Sequence, residues 1–146
     1  MIELSKYIYE NYPELKNKIQ YWQLLSLLDK NEDKIICIRD NDNKIKGIGI
    51  YVKISDDLLE DFKLLSDIYG REEMIDFISE PVFQTALFTE KGENVHFFIL
   101  VAEGFDTIRR GLREVIKKEN PTAISWIDIK DYKLKIFRRR EKLCLN

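Results

Sequence analysis

The sequence is poor in the residues that build disulfide frameworks and metal centres. It has two cysteines and one histidine in 146 residues, and Cys37 lies in an apolar run whereas Cys144 lies near the end. This spacing indicates neither a disulfide scaffold nor a metal site, so we predict free thiols, with Cys37 in the core, and no metal. No segment approaches the roughly 18 apolar residues of a membrane helix, and the stretch MIELSKYIYENYPELK does not resemble a secretory signal.

Composition and length indicate one folded domain. Hydrophobic residues make up 45% of the chain and charged residues 34%, which is typical of a globular protein and excludes a disordered one. A chain of 146 residues buries an apolar core without disulfides, and no linker or internal repeat divides it. We therefore predict a single domain over residues 1–146, located in the cytoplasm and without a membrane partner.

Acidic and basic residues are concentrated in different parts of the chain. Residues 55–93 hold 11 acids and 3 bases, whereas residues 105–146 hold 12 bases and 6 acids. Two explanations fit this division. Either the two segments neutralise each other within the fold, or the basic end, with Arg138, Arg139 and Arg140, binds an anion or an acidic partner.

The first third of the chain predicts helices followed by a hairpin. Apolar residues at helical spacing indicate two helices within the first thirty residues, separated near Pro13. Residues 34–39 and 44–54 flank the turn Asp-Asn-Asp-Asn, which is typical of a β-hairpin. Gly47 and Gly49 in the second strand indicate a bulge or a close backbone approach.

The acidic middle of the chain predicts further helices. Ser55 precedes two aspartates and an apolar pattern that continues to Gly70, so we expect it to cap a helix. A second short helix is predicted over residues 71–78. Residues 82–88 are compatible with a strand or a helix, and helix or irregular structure is weakly favoured.

The last third predicts a strand, a crossover helix and a parallel strand. Residues 95–102 are almost wholly apolar, as expected of a strand covered on both faces. A helix over residues 106–119 and a strand over 123–127 follow, and an outer strand is predicted over 133–138. The apolar stripe of the helix consists of Phe105, Ile108, Leu112, Val115 and Ile116.

This order of elements resembles the GNAT acyltransferase fold. The segments VHFFILVAEG, IRRGLREVIKKENP and AISWID, followed by a strand that ends in basic residues, are similar to a divergent GNAT-like group of phages and prophages. The resemblance implies an α+β fold. It has a mixed sheet that contains an antiparallel hairpin and a parallel strand-helix-strand crossover, with the N-terminal helices packed on the sheet.

The resemblance also implies a site for acetyl-CoA or another acyl-CoA. In the GNAT family the pantetheine arm lies where two neighbouring strands splay apart, and the pyrophosphate binds backbone amides at the start of the next helix. A helix N-terminus suits an anion because its first amides are unpaired and carry about half a positive charge. The amides implied here are those of Gly104, Phe105, Asp106, Thr107 and Ile108. Arg109 and Arg113, one turn apart on the polar side of the helix, are candidates for binding a phosphate of the nucleotide, and the alternatives are an acidic partner or water alone.

Two features of this segment depart from the family pattern. The family motif of Arg or Gln followed by two glycines is not intact, because its nearest match, Arg110-Gly111-Leu112-Arg113, lies about one turn later. Asp106 also leaves a second interpretation open, in which its carboxylate caps the amides in place of a phosphate.

The catalytic candidates come from the same third of the chain. Tyr132 stands nearest to the place where GNAT enzymes carry a tyrosine general acid, and its alternative is a turn aromatic. His96, Glu103 and Asp128 are candidates for the general base that accepts a proton from an amine. Glu103 follows the carboxyl end of a strand, where ligands of open α/β sheets bind. A structural core histidine is the alternative for His96.

Two functions remain open from the sequence. The resemblance implies transfer of an acyl group from acyl-CoA to an unknown amine or lysine. The alternative is a non-catalytic interaction protein that keeps the fold and binds a protein partner. Aromatic residues stand among the basic ones, but a pI of about 5.6 argues against nucleic acid, and we expect Trp126 to be sheet core.

Overall fold

Five strands form one mixed sheet. The computed structural model describes residues 1–80, 87 and 90–139. The strand order is β1-β2-β3-β4-β5, antiparallel throughout except for the parallel pair β3 and β4. The strands are β1 (Ile35–Arg39), β2 (Ile45–Ile54), β3 (Asn94–Ala102), β4 (Ala123–Ile127) and β5 (Leu134–Arg138).

Six α-helices whose bounds the structure describes accompany this sheet. They are α1 (Ile2–Asn11), α2 (Pro13–Lys16), α3 (Tyr21–Lys30), α4 (Asp56–Ile68), α5 (Arg71–Ser79) and α6 (Phe105–Glu119). A short 3₁₀ helix, Glu32–Lys34, leads into β1. No described helix is both long enough and apolar enough to cross a membrane.

The N-terminal segment has three helices where two were predicted. Pro13 begins α2 as expected, but α2 ends at Lys16 and a new helix begins at Tyr21. The backbone N–H of Gln20 donates to Oε1 of Gln23 at 2.9 Å, which fixes the start of α3. The prediction was wrong here because the apolar spacing continues across the break between the two helices. The new helix start depends on the side chain of Gln23, and glutamine is a weak sequence signal for a helix start.

The hairpin and its glycines confirm the expected close backbone approach. A Cβ on Gly47 would lie 2.7 Å from Cγ2 of Thr107, and a Cβ on Gly49 would lie 2.4 Å from Cε1 of Phe97. Any larger residue at these positions would therefore displace the first turn of α6 or the ring of Phe97. Both glycines allow α6 and β3 to pack closely on β2.

The acidic segment folds as the two predicted helices. Ser55 caps α4, since its hydroxyl accepts a hydrogen bond from the N–H of Leu58 at 3.2 Å. α5 follows directly over Arg71–Ser79. The ambiguous residues 82–88 lie outside the described residues except for Leu87, which is helical and buried.

Helices cover both faces of the sheet. One core cluster joins the sheet to α1–α5, with Ile8, Leu24 and Phe62 among its buried residues. A second cluster lies under α6 and includes Phe97 and Val115. The α+β class, the hairpin, the parallel crossover and the packing of the N-terminal helices on the sheet are thus as predicted, because a nearly continuous apolar strand requires cover on both faces.

Candidate functional site

The two parallel strands pair over only part of their length. β3 and β4 are in register from Val95 opposite Ile124 to Phe97 opposite Trp126. β3 then continues to Ala102, still paired with β2, while β4 ends at Ile127. The carboxyl-terminal part of β3 therefore has β2 on one side and no continuation of the β4 ladder on the other.

A β-bulge lies where the parallel pairing stops. Ile50 is opposite Ile99 and Tyr51 is opposite Phe97, so β3 has one more residue than β2 at this point. As a result Phe98 and Ile99 both pack on the side of α1–α5, whereas Phe97 packs under α6. A bulge bends its strand and increases the local twist, which accounts for the separation of β3 from β4 just beyond it.

A cavity of about 410 Å³ opens at this separation. Its walls come from the end of β3, the start of α6, the end of β4 with the following turn, and the end of α1. The lining residues are Asn11, Leu100, Val101, Ala102, Gly104, Phe105, Ile108, Trp126, Asp128, Ile129 and Lys130. The site thus lies at the carboxyl ends of the two parallel strands, where open α/β sheets bind ligands.

The first turn of α6 has backbone N–H groups that precede the first helical hydrogen bond, and this turn lines the cavity. Gly104 has a φ of 83°, a conformation that glycine adopts without strain, and it turns the chain from β3 into the helix. The first helical hydrogen bond runs from Ile108 N–H to Gly104 carbonyl at 3.4 Å, so the amides of Phe105, Asp106 and Thr107 precede it.

Asp106 does not cap these amides in the structure. Its side chain is exposed and makes no hydrogen bond among the described contacts. The hydroxyl of Thr107 instead donates to the carbonyl of Glu103 at 2.9 Å and closes the turn. The interpretation in which Asp106 caps the helix N-terminus therefore finds no hydrogen bond to support it among the described residues.

The arginines of α6 lie outside the cavity. Arg109 is exposed, and its guanidinium carbon lies 6.0 Å from the ring centroid of Phe105. Arg113 is exposed one turn further along the helix. Arg110 turns to the other side and donates to the carbonyl of Arg39 at 3.2 Å. Of these three, Arg109 lies nearest to the amides at the start of the helix.

Glu103 is held beside the cavity by two partners from other elements. Lys46 on β2 pairs with its carboxylate at 3.2 Å, and the hydroxyl of Tyr7 on α1 donates to it at 3.5 Å. Partial burial, followed by the charge of Glu103, raises the pKa of Tyr7 to about 12, so the phenol stays protonated as a donor. Asn11, one turn after Tyr7, lines the cavity itself.

The turn after β4 forms the opposite wall. The carboxylate of Asp128 accepts a hydrogen bond from the N–H of Lys130 at 2.9 Å, which closes a tight turn. Arg71 on α5 supports this turn from outside, since its guanidinium donates to the carbonyl of Lys130 at 3.3 Å. Asp128 and Lys130 therefore line the cavity from a turn whose backbone is fixed by hydrogen bonds.

Tyr132 lies in the core behind that wall rather than in the cavity. It is buried, has a φ of 56°, and its hydroxyl donates to Glu14 and lies 3.2 Å from the hydroxyl of Tyr12. Burial and the carboxylate of Glu14 raise its pKa far above the usual range for tyrosine. Arg71 stacks on its ring, with the guanidinium carbon 4.7 Å from the ring centroid.

His96 lies in the paired half of β3, away from the cavity lining. Its Nδ1 is 2.8 Å from the hydroxyl of Ser125 on β4, and its ring packs on Phe62 with centroids 4.7 Å apart. Complete burial lowers the pKa of His96 to about 3, so it is neutral at physiological pH. The structure therefore does not bring His96, Glu103 and Tyr132 together, and of the three only Glu103 adjoins the cavity.

Several cavity residues were not identified from the sequence. Asn11 and Lys130 reach the cavity from segments more than a hundred residues apart, and no local pattern signals either of them. Trp126, expected in the sheet core, is half-buried and lines the cavity. Trp126 reaches the cavity because it is the last residue of the parallel ladder. The sequence does not show where that ladder ends, so it could not place Trp126 at the cavity.

The basic end is partly neutralised within the fold. Arg138 on β5 pairs with Glu60 on α4 at 3.3 Å. Arg139 donates to the side-chain oxygen of Asn120 and to the carbonyl of Pro121, each at 2.8 Å. Arg140 lies outside the described residues. The first explanation for the uneven charge, neutralisation between segments, is thus met by the pair Arg138–Glu60 within the part of the chain that the structure describes.

Comparison of the chain with known protein families, with curated proteins and with solved structures gives no match. Within residues 1–80, 87 and 90–139, no group of three His, Cys, Asp or Glu side chains is arranged to hold a metal ion. The molecule is an α+β protein with a cavity between two diverging parallel strands.

Proposed function

We propose that the cavity binds the pantetheine arm of an acyl-CoA and that the protein transfers the acyl group to an amine. The observation that carries this proposal is the early end of the β3–β4 ladder, at Phe97 and Trp126, which leaves a cavity that the start of α6 also lines. This arrangement supplies a slot for a narrow, extended chain and a helix N-terminus for its phosphates within one site.

The walls of the slot suit a pantetheine arm. Leu100, Val101 and Ile108 offer apolar contact, and the side of the β3 backbone that has left the β4 ladder offers peptide groups to an extended ligand. Pantetheine carries two amide groups, which can pair with such a strand edge as an added strand does. A volume of about 410 Å³ lies within the range of ligand pockets.

The proposed reaction needs a base and no metal. The amine nitrogen of the acceptor attacks the thioester carbonyl, a C–N bond forms, the C–S bond breaks, and CoA leaves as a thiolate that takes a proton from solvent. The proton lost by the amine passes to a carboxylate that acts as the general base. The two candidates for this base are Asp128, on the cavity wall, and Glu103, next to the cavity. Tyr132 and His96 have no step in this scheme.

Binding of acyl-CoA to the whole chain tests the proposal. Isothermal titration with acetyl-CoA and with longer acyl-CoAs is expected to give saturable heat for at least one of them. Replacement of Ile108 by tryptophan within the cavity is expected to weaken that binding by at least about tenfold. Absence of heat with every acyl-CoA would rule the proposal out.

A second candidate function, a non-catalytic interaction protein, is favoured by a different surface. Leu64 and Ile68 lie one turn apart on α4, are 61% and 65% exposed, and stand within the acidic segment. Such a pair offers apolar contact area, and the acidic residues around it offer charge, to a protein partner with basic residues. A pull-down with the wild type and with the double variant Leu64→Lys and Ile68→Lys tests it, and a partner lost only by the variant would support it. Recovery of no partner would count against it.

A further inference from the structure

The apolar stripe of α6 extends beyond the core that covers it. Val115 is buried, Leu112 and Ile116 pack in the cluster under the helix, and Ile108 lines the cavity. Phe105, the first residue of the stripe, is 72% exposed. The first residue of the stripe is therefore an aromatic ring in contact with solvent, and it differs from the other exposed large apolar side chains that the structure describes in that it also lines the cavity.

The exposed ring stands at the mouth of the cavity beside a cation. Phe105 lines the cavity together with Gly104, and Arg109, one turn later, lies with its guanidinium carbon 6.0 Å from the ring centroid. An exposed aromatic ring paired with a guanidinium binds a nucleotide by two contacts, because a base stacks on the ring while a phosphate meets the cation.

From this geometry we propose that Phe105 is the stacking platform for the adenine base of the acyl donor, with Arg109 facing one of its phosphates. The inference rests on the proposed function and adds to it the part of the ligand that sets specificity. The protein then distinguishes acyl-CoA, which carries the nucleotide, from acyl-pantetheine donors that lack it, such as acyl groups on carrier proteins.

The test compares ligands with and without the nucleotide on four forms of the full chain. The ligands are CoA, 4′-phosphopantetheine and adenosine 3′,5′-bisphosphate, and their affinities are measured by calorimetry. The variants are Phe105→Ala, Phe105→Tyr, which keeps a ring, and Phe137→Ala. Phe137 is the matched control because it is also exposed, at 43%, but lies on β5 and not at the cavity.

Loss of base stacking by alanine substitution weakens binding by about five- to 150-fold. Phe105→Ala is expected to weaken CoA and the bisphosphate by a factor in this range and to leave phosphopantetheine within about twofold. Phe105→Tyr and Phe137→Ala are expected to bind all three as the wild type does. An equal effect of Phe105→Ala on CoA and phosphopantetheine, or no effect on either, would overturn the platform alone. If the wild type binds neither CoA nor phosphopantetheine, the proposed function is overturned as well.

Discussion

Phe97 and Trp126 form the last pair of the parallel ladder between β3 and β4, and the cavity begins directly beyond them. One residue later, the bulge in β3 turns two successive side chains toward the same face of the sheet. The slot is therefore built into the backbone, because it depends on where a ladder ends and less on which side chains line it.

Blocking the slot should remove ligand binding without unfolding the protein. Ile108→Trp places a larger ring in the cavity from a half-buried position on α6, and we expect CoA affinity to fall by at least about tenfold, the effect of a 1.4 kcal/mol clash. Glu114→Trp, on the exposed side of the same helix, is the control and should bind normally. Equal affinities of the two variants would contradict a ligand in this slot.

Removing the proposed base should lower turnover more than binding. With an amine substrate in hand, Asp128→Asn or Glu103→Gln is expected to reduce kcat by about 10²–10⁴-fold and to leave CoA affinity nearly unchanged, since neutral amides keep the size of the side chains. Steady-state kinetics with parallel calorimetry separates the two quantities. If both variants turn over at the wild-type rate, neither carboxylate is the base.

His96 should make the protein less stable in mild acid. Its pKa is about 3 in the fold and about 6.5 in the unfolded chain, so only the unfolded chain gains a proton between these values. The contribution of neutral His96 to the free energy of unfolding is complete above pH 6.5 and declines as the pH falls toward 3. Between pH 7 and pH 5 the free energy of unfolding should fall by about 2 kcal/mol from this group alone.

Urea unfolding at the two pH values measures this effect, and His96→Gln isolates it. The variant should lose less stability than the wild type over the same interval, by about 2 kcal/mol. Equal losses would mean that His96 titrates normally in the fold, which is incompatible with its burial against Phe62.

The hydroxyl of Tyr132 should stabilise the fold through the N-terminal helices. Tyr132→Phe removes the hydrogen bond to Glu14 on α2, and we expect a loss of about 1–2 kcal/mol in the free energy of unfolding. Tyr69→Phe is the control, because Tyr69 packs its ring on Phe77 at a half-buried position. Comparable losses in both variants would show that the network around Glu14 contributes nothing specific.

The sequence predicted the elements of the C-terminal half because local patterns determine them. An apolar run such as β3 requires cover on both faces, and the stripe on α6 requires a sheet beneath it. The stripe does not show where the sheet ends, so it could not show that Phe105 is exposed while Val115 is buried.

The cavity could be predicted only in part, because it is assembled from distant segments. The start of α6 was identified from strand and helix order, but the bulge at residue 98 has no local signature, and Asn11 and Lys130 meet only in the folded chain. Tyr132 and His96 were reasonable candidates by residue type. Whether these two side chains are buried or face the cavity depends on the whole fold, so the sequence could not show it.

Amide chemical shifts of the ¹⁵N-labelled protein during titration with acetyl-CoA test the central claim most directly. We predict saturable changes that are largest at residues 104–108 and 128–130 and at the indole N–H of Trp126. Changes that are largest at the polar cavity near the other end of β3, lined by Lys53, Asn94 and Glu119, or no saturable change at all, would contradict the account.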